Sequence, residues 1–375
     1  MRFKEILRVI RQIQRSNLKL ISGTEKIKPK VIQLPITYNC DSKCVMCNIW
    51  QMDSSNESSV EEFSRYMRDD IFSEVTSVGI NGGEVSLIPN LPSYVEEVTK
   101  LSKLKSITLI SNGFKRKSLL GHLEQIKKIC SEKNIALNLI ISLDGVKDVH
   151  ERVRGVNNAF DKVIKTYRTI LDEQGKYCDR LELACTVVDQ NINELVELDV
   201  FCRENKFKIK YRLGIENKRI ESYKLVENFS VIYDKNRQTA KEFFHWMYKR
   251  TPMSNFQEKY KYFCIFDWLE NEKRRIGCDW KNQGITLDSR GELYYCAVKS
   301  EPIGSIRTQV KSGSDIFFSE ENLNYRSQII KDECDSCIHD YVGTPYYKDV
   351  AYFLMYEIKQ RSSMKMYKFR TLVGL

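Results

Sequence analysis

From Val31 to Gly214 the chain alternates short apolar runs with longer amphipathic ones. Apolar runs at 31–37, 75–81, 106–111, 135–143, 181–188 and 208–214 read as strands, and stretches near 58–71, 91–103, 117–133, 158–174 and 191–205 read as helices. A strand followed by a crossover helix returns to the sheet in parallel, so the pattern predicts an α/β fold with helices outside a parallel sheet. Six strands suit a partial (βα)6 TIM-type barrel better than a closed eight-stranded one. In such sheets the chemistry lies at the C-terminal strand ends.

The strand ends carry the motifs. After the first comes Cys40-Asp41-Ser42-Lys43-Cys44-Val45-Met46-Cys47, three thiols spaced C-x3-C-x2-C. Asn81-Gly82-Gly83-Glu84 follows the second strand, Ser111-Asn112-Gly113 the third and Ser142-Leu143-Asp144-Gly145 the fourth. So tight a loop does not readily join three cysteines to one another, but it can wrap them around one inorganic centre. Spacing alone leaves three readings. An iron–sulfur cluster takes thiolates; with four irons and three cysteines, one iron stays open to a substrate or cofactor. Structural zinc wants a fourth ligand, and none of the four histidines (His122, His150, His245, His339) lies beside the loop in sequence. Three ordinary buried thiols are the third reading.

A double glycine lets backbone approach a partner closely, and Glu84 adds a carboxylate beside it. Together with the cysteine spacing, this segment resembles the radical S-adenosylmethionine (SAM) superfamily, over roughly residues 31–215. The resemblance implies that Cys40, Cys44 and Cys47 hold a [4Fe–4S] cluster and that SAM chelates the fourth iron. It sets Met46 against the adenine and gives Gly82, Gly83 and Glu84 the methionyl amine, with Val85 where the family has Pro. Ser142 matches a ribose or carboxylate contact. His150-Glu151-Arg152-Val153-Arg154-Gly155 resembles the family's H-x-x-x-R-G segment. Arg154 is thereby a candidate partner of the SAM carboxylate, with a surface ion pair as the plain alternative. Ser111 and Asn112 line the pocket or merely make the turn. The implied chemistry is one-electron cleavage of SAM to a 5′-deoxyadenosyl radical, which abstracts hydrogen from the substrate. A flavodoxin or ferredoxin-type partner supplies the electron.

A second set of cysteines follows: Cys278, Cys296 just after the turn glycine Gly291, and Cys334-x2-Cys337. On spacing alone, four thiolates suit a closed [4Fe–4S] cluster or structural zinc equally. Gly291-Glu292-Leu293-Tyr294-Tyr295-Cys296 and the later C-x2-C resemble the SPASM domain in its shortened Twitch form. That resemblance implies an auxiliary cluster held by Cys278, Cys296, Cys334 and Cys337, in a small C-terminal cysteine-rich iron–sulfur domain. Cys130, Cys178, Cys185 and Cys202 fall in the strand–helix scaffold as plain thiols. Cys264 is a candidate hydrogen-atom donor of the kind radical SAM epimerases use, beside the plainer reading of a thiol buried among aromatics.

Twelve cysteines, with no signal peptide and no apolar run of membrane-spanning length, argue for metal or redox chemistry in a cytoplasmic protein. Residues 1–30 carry nine Lys or Arg against two acids and residues 357–375 five against one, so the ends account for the whole net charge of +10. A body without a basic face speaks against nucleic acid. Phe3, Ile6, Leu7, Ile10 and Ile13 share one face of a basic helix, which either rests on an acidic membrane surface or closes the bottom of the barrel. The expected order is an N-terminal extension (1–30), the barrel (31–215), a helical bridge (216–275), the auxiliary domain (276–340) and a basic aromatic tail (341–375). The first expectation for function is oxidation or epimerisation of a small polar substrate such as a sugar or nucleotide sugar. The alternative is modification of a ribosomal peptide by epimerisation or thioether formation. Against it stands the short stretch before the first strand, where such enzymes often carry a leader-binding domain. A non-catalytic metal-binding protein is the remote third.

Overall fold

Six strands lie side by side in sequence order, each parallel to the next: β1 (Val31–Pro35), β2 (Ser77–Asn81), β3 (Ser106–Ser111), β4 (Ala136–Ser142), β5 (Arg180–Val187) and β6 (Ile209–Leu213). This is the partial barrel that the alternation predicts. The structure, a computed structural model, describes residues 26–225, 228–233, 236–278, 280–308, 310–339, 343 and 345–373, with backbone alone for 282 and 361–373. Residues 3–13, read as a basic helix, lie outside that range.

Burial fixes the register. Leu34, Ile80, Leu109, Leu139 and Leu181 pair across the sheet in one fully apolar row. The adjacent row, Gln33, Gly79, Thr108 and Asn138, belongs to the opposite face and is half-buried. A one-residue slip would exchange the two rows, so the pattern admits one register.

Helices return the chain between strands: α1 (Val60–Met67), α2 (Leu91–Val98), α3 (Arg116–Glu132), α4 (Asp148–Arg154), α5 (Ala159–Asp172) and α6 (Leu195–Glu204). Each buries one stripe. In α5 the stripe is Phe160, Val163, Ile164, Tyr167 and Ile170, at helical spacing. α1 starts with a reciprocal capping box between Ser59 and Glu62.

The free edge of β1 takes β7 (Gly284–Leu287) in parallel, and β8 (Glu292–Tyr294) and β9 (Gly304–Ser305) follow antiparallel. These three short strands therefore extend the barrel sheet beyond β1. Gly291 closes the β7–β8 turn at φ +83°, a conformation that favours glycine.

The described chain divides into two compact units, residues 26–240 with 280–339, and residues 241–278 with 343–373. The second is helical and aromatic, built around α8 (Phe256–Asn271) after the end of α7 (Asn236–Arg250), with α9 (Tyr347–Val373). Phe263 and Phe353 stack edge-on, with centroids 5.0 Å apart. Lys259 is buried over the Tyr248 ring and 3.2 Å from Glu357. Arg275 bridges Asp267 and Asp349. Among the described residues, no helix is long and apolar enough to cross a membrane.

Candidate active site

The cysteine loop leaves β1 and is held on four sides. Along the exit of β2, Gly83 N donates to Thr37 O (2.6 Å) and Glu84 N to Asn39 O (2.8 Å). A Cβ on Gly82 would stand 2.3 Å from Thr37 O, and one on Gly83 2.0 Å from Asn39 O. The close approach that the double glycine permits is thus to the backbone of the cysteine loop itself. On the second side Lys43 N donates to Arg154 O and Val45 N to Val153 O, both at 3.0 Å, so the end of α4 runs against the loop. On the third, Asn112 Nδ2 donates to Asp41 Oδ1 (2.7 Å) and Ser42 Oγ (3.0 Å). On the fourth, the Glu57 carboxylate accepts from Thr37 Oγ1 and Tyr38 N.

Glu84 is buried, and its carboxylate accepts from Ser111 Oγ (2.7 Å), Asn112 N (2.7 Å) and Ser86 N (2.9 Å). It braces the ends of β2 and β3, and burial raises its pKa against these hydrogen bonds. Ser111 and Asn112 do more than turn the chain: one holds Glu84, the other also holds the cysteine loop.

Two apolar clusters take up the loop, one of them including two of its thiols. Cys40 and Cys47 pack with Met52 against Tyr38, Ile49 and Ile220. Met46 packs with Val45 and Leu225 against Val153, Val188 and Phe229. Burial pushes the Cys40 thiol up to about 12 and Cys47 up to about 11, and raises Cys44 as well. Without a metal these thiols stay protonated at neutral pH; metal binding must displace the protons. Ser142 ends β4, half-buried.

Arg154 is neither exposed nor unpaired. Its Nε lies 2.5 Å from Asp144 Oδ2, and its Nη1 donates to Cys44 Sγ at 3.6 Å. Asp144 is fully buried and accepts from Thr186 N (2.8 Å). Its own N–H donates to His150 Nδ1 (3.0 Å). Burial, reinforced by Arg154, holds His150 well below the usual histidine pKa. S-x-D-G and the H-x-x-x-R-G segment are sequence signals for the Asp144–Arg154 pair, but nothing in the sequence points to Glu57.

The second set is placed differently. Cys296, Cys334 and Cys337 are half-buried in the sheet unit, where Glu333 pairs with Lys299 (3.2 Å) and Lys218 (3.3 Å). Cys278 is half-buried and belongs to the helical unit. Cys264, on α8, is 1% exposed and lies beside Tyr260 in the aromatic core of that unit.

Among the described residues, no three of His, Cys, Asp or Glu are gathered tightly enough to hold a metal ion. A cluster asks less, because each thiolate takes its own iron around a shared volume. Three thiols in a largely apolar pocket, with a guanidinium against one of them, fit such a soft anionic centre better than Mg²⁺ or Ca²⁺. At the β2 exit, Asn81 Oδ1 is buried with no hydrogen-bond partner among the described residues, an acceptor suited to an ammonium group such as that of SAM.

Residues 34–198 match the family model of the radical SAM superfamily. Over that segment, somewhat less than half of the chain, the protein is similar to a radical SAM domain. Such a domain uses SAM and a [4Fe–4S] cluster. Over 188 residues the chain is 28% identical to Fe-coproporphyrin III synthase of Methanosarcina barkeri (strain Fusaro), a match covering 48% of this chain and 43% of that protein. The match thus spans less than half of that curated relative. Among solved structures, Streptococcus suis SuiB bound to SAM is similar at a TM-score of 0.56 and 19% identity, over 80% of this chain and 68% of that one. The structure of anSMEcpe with bound SAM and the Cp18Cys peptide is similar at 0.57 and 17%, over 90% and 99%. At these identities the likeness is one of fold.

Proposed function

We propose that the protein is a radical SAM enzyme that modifies a peptide. The observation that carries the peptide reading is that structures of like fold hold peptides, SuiB its precursor peptide SuiA and anSMEcpe the Cp18Cys peptide. This displaces the sugar or nucleotide sugar as the first expectation. The identity with Fe-coproporphyrin III synthase spans about as much of the chain as the radical SAM domain does. It supports the radical-generating chemistry more than any one substrate.

In this reading Cys40, Cys44 and Cys47 hold the SAM-binding cluster, and Met46 and Ser142 contact SAM. Gly82, Gly83, Glu84 and Arg154 shape the pocket by fixing the loop. When bound, cluster and SAM supply one-electron cleavage of the sulfonium and hydrogen-atom abstraction. The chain's own part is to hold the three thiols on the loop after β1, Cys40 and Cys47 against an apolar cluster, so that water is largely excluded. On their spacing and the Gly291 turn, Cys278, Cys296, Cys334 and Cys337 are proposed as ligands of an auxiliary cluster. A flavodoxin or ferredoxin-type protein is the proposed electron donor.

The test is anaerobic reconstitution with SAM and dithionite, followed by co-expression with small peptides encoded beside the gene. The expected results are 5′-deoxyadenosine and a peptide that has lost a hydrogen pair or carries an epimerised residue. Release of 5′-deoxyadenosine driven by an alcohol or sugar, with every such peptide unchanged, would return the sugar reading.

A further inference from the structure

Arg219 occupies the short turn Lys218–Ile220 that follows β6. The turn is pinned at both ends. Lys218 N donates to Val298 O at 2.9 Å, and Ile220 packs with Tyr38 and Ile49 in the wall against Cys40 and Cys47. Arg219 between them is only 9% exposed, and its Nε and Nη1 are shielded from solvent with no hydrogen-bond partner among the described residues. A buried cation with unmade N–H groups is costly unless something anionic completes it.

Its surroundings complete it only in part: it hydrogen-bonds the Tyr38 side chain. Its charge reaches Tyr38 and Cys47, lowering the pKa of each against the dominant effect of burial. The carboxylate behind Tyr38, Asp288, accepts the Tyr38 hydroxyl at 2.8 Å and the N–H groups of Arg290 and Glu292 at 2.9 Å each. Arg154, the other guanidinium at the loop, is matched by Asp144 at 2.5 Å. Of the carboxylates that act on the thiols, Asp144 reaches Cys44 and Glu84 reaches Cys40. The cysteine pocket therefore has one arginine neutralised by a carboxylate and one, Arg219, that among the described residues is met by the Tyr38 hydroxyl but by no carboxylate ion pair. A cluster on three thiolates gains negative charge on reduction, and its potential follows local charge and hydrogen bonding to its sulfurs.

We propose that Arg219 is the counter-charge of the cluster held by Cys40, Cys44 and Cys47, and that it holds the cluster's reduction potential up. The proposal rests on the assignment of those three cysteines as ligands. Arg219 is on this account a positioning residue for charge, acting through the cluster.

The experiment is an EPR-monitored redox titration of the full reconstituted chain, following the signal that SAM perturbs. In Arg219→Gln the ratio of reduced to oxidised cluster at a fixed poise falls about tenfold, a shift of about 59 mV for a one-electron couple. Arg219→Lys keeps most of the wild-type ratio. Asp288→Asn, which removes a negative charge behind Tyr38, shifts the ratio the opposite way. An unmoved potential in Arg219→Gln, with iron content intact, overturns the proposal. So does a Lys variant as low as Gln. If the Gln variant holds no iron, Asp288→Asn decides: a raised ratio supports the proposal and an unchanged one overturns it. A wild-type protein with no SAM-sensitive signal would instead defeat the ligand assignment itself.

Discussion

The two sets of cysteines differ in what holds them. Cys40, Cys44 and Cys47 share one loop whose backbone is tied to the β2 exit and to the end of α4, and whose side chains meet Asn112. The fold supplies that geometry before any metal arrives. Cys278, Cys296, Cys334 and Cys337 are spread over sixty residues and are half-buried, and none of them lies in a strand or helix. A preformed loop pays little ordering entropy on binding, whereas a dispersed set must be fixed by its metal. The first loop is a product of the fold; the second set, as the proposed auxiliary-cluster ligands, would make its own folding depend on metal.

The strongest way to break this contrast is to count iron. Cys44→Ala should remove about half of the iron of a two-cluster protein and all SAM cleavage, with the fold otherwise intact, since each [4Fe–4S] cluster needs its thiolates. Cys334→Ser should remove the other half and leave SAM cleavage measurable. If the second set holds the proposed cluster, the thermal midpoint of Cys334→Ser should fall further than that of Cys44→Ala, because a metal that fixes a dispersed set contributes directly to folding. Full iron content in Cys334→Ser would remove the second set as ligands.

A smaller effect tests whether the first loop is preformed. In Gly83→Ala the new methyl meets Asn39 O at 2.0 Å, and backbone cannot give way as a flexible side chain can. Overpacking of this kind costs about 1–3 kcal/mol, and here the displaced atoms carry the cysteines. Iron at the first site should fall while the second set keeps its share. Gly121→Ala, where nothing lies within 4 Å of the added methyl, serves as control. On α3 it should stabilise the protein by about 0.5–1 kcal/mol.

Much of this was legible in the sequence, for a physical reason. The strand–helix alternation and the cysteine spacing are local patterns, and β1 to β6 appear where the apolar runs place them. Buried polar partnerships are not local. Asn112 reaches Asp41 from 71 residues away, and Arg154 meets Cys44 across 110. Each is decided by which strand ends the sheet brings together. Glu84 shows the consequence: the hydrogen bonds that Ser111, Asn112 and Ser86 give its carboxylate cannot be read from the segment around it. The pairing of β7 with β1 was equally hidden, because an apolar run does not say which edge it will cover.

The smallest effect sharpens the contrast through pH. His150 is fully buried, and its Nδ1 accepts from Asp144 N, so the folded chain keeps the ring neutral. Unfolded, the ring takes a proton near pH 6.5. Above that pH both states are neutral and nothing is lost. Below it only the unfolded state is protonated, so stability falls as pH falls, by at most about 1.4 kcal/mol per unit. Urea midpoints between pH 7.5 and 5.5 should therefore slope downward, above the range where most carboxylates titrate. His150→Gln, whose side-chain oxygen can accept the same N–H, should flatten the slope. Because α4 carries both His150 and the backbone that holds Lys43 and Val45, mild acid should release iron from the first site of the native chain and less from that variant. An unchanged slope in His150→Gln would move the acid sensitivity elsewhere and leave the loop's rigidity to the β2 exit and Asn112.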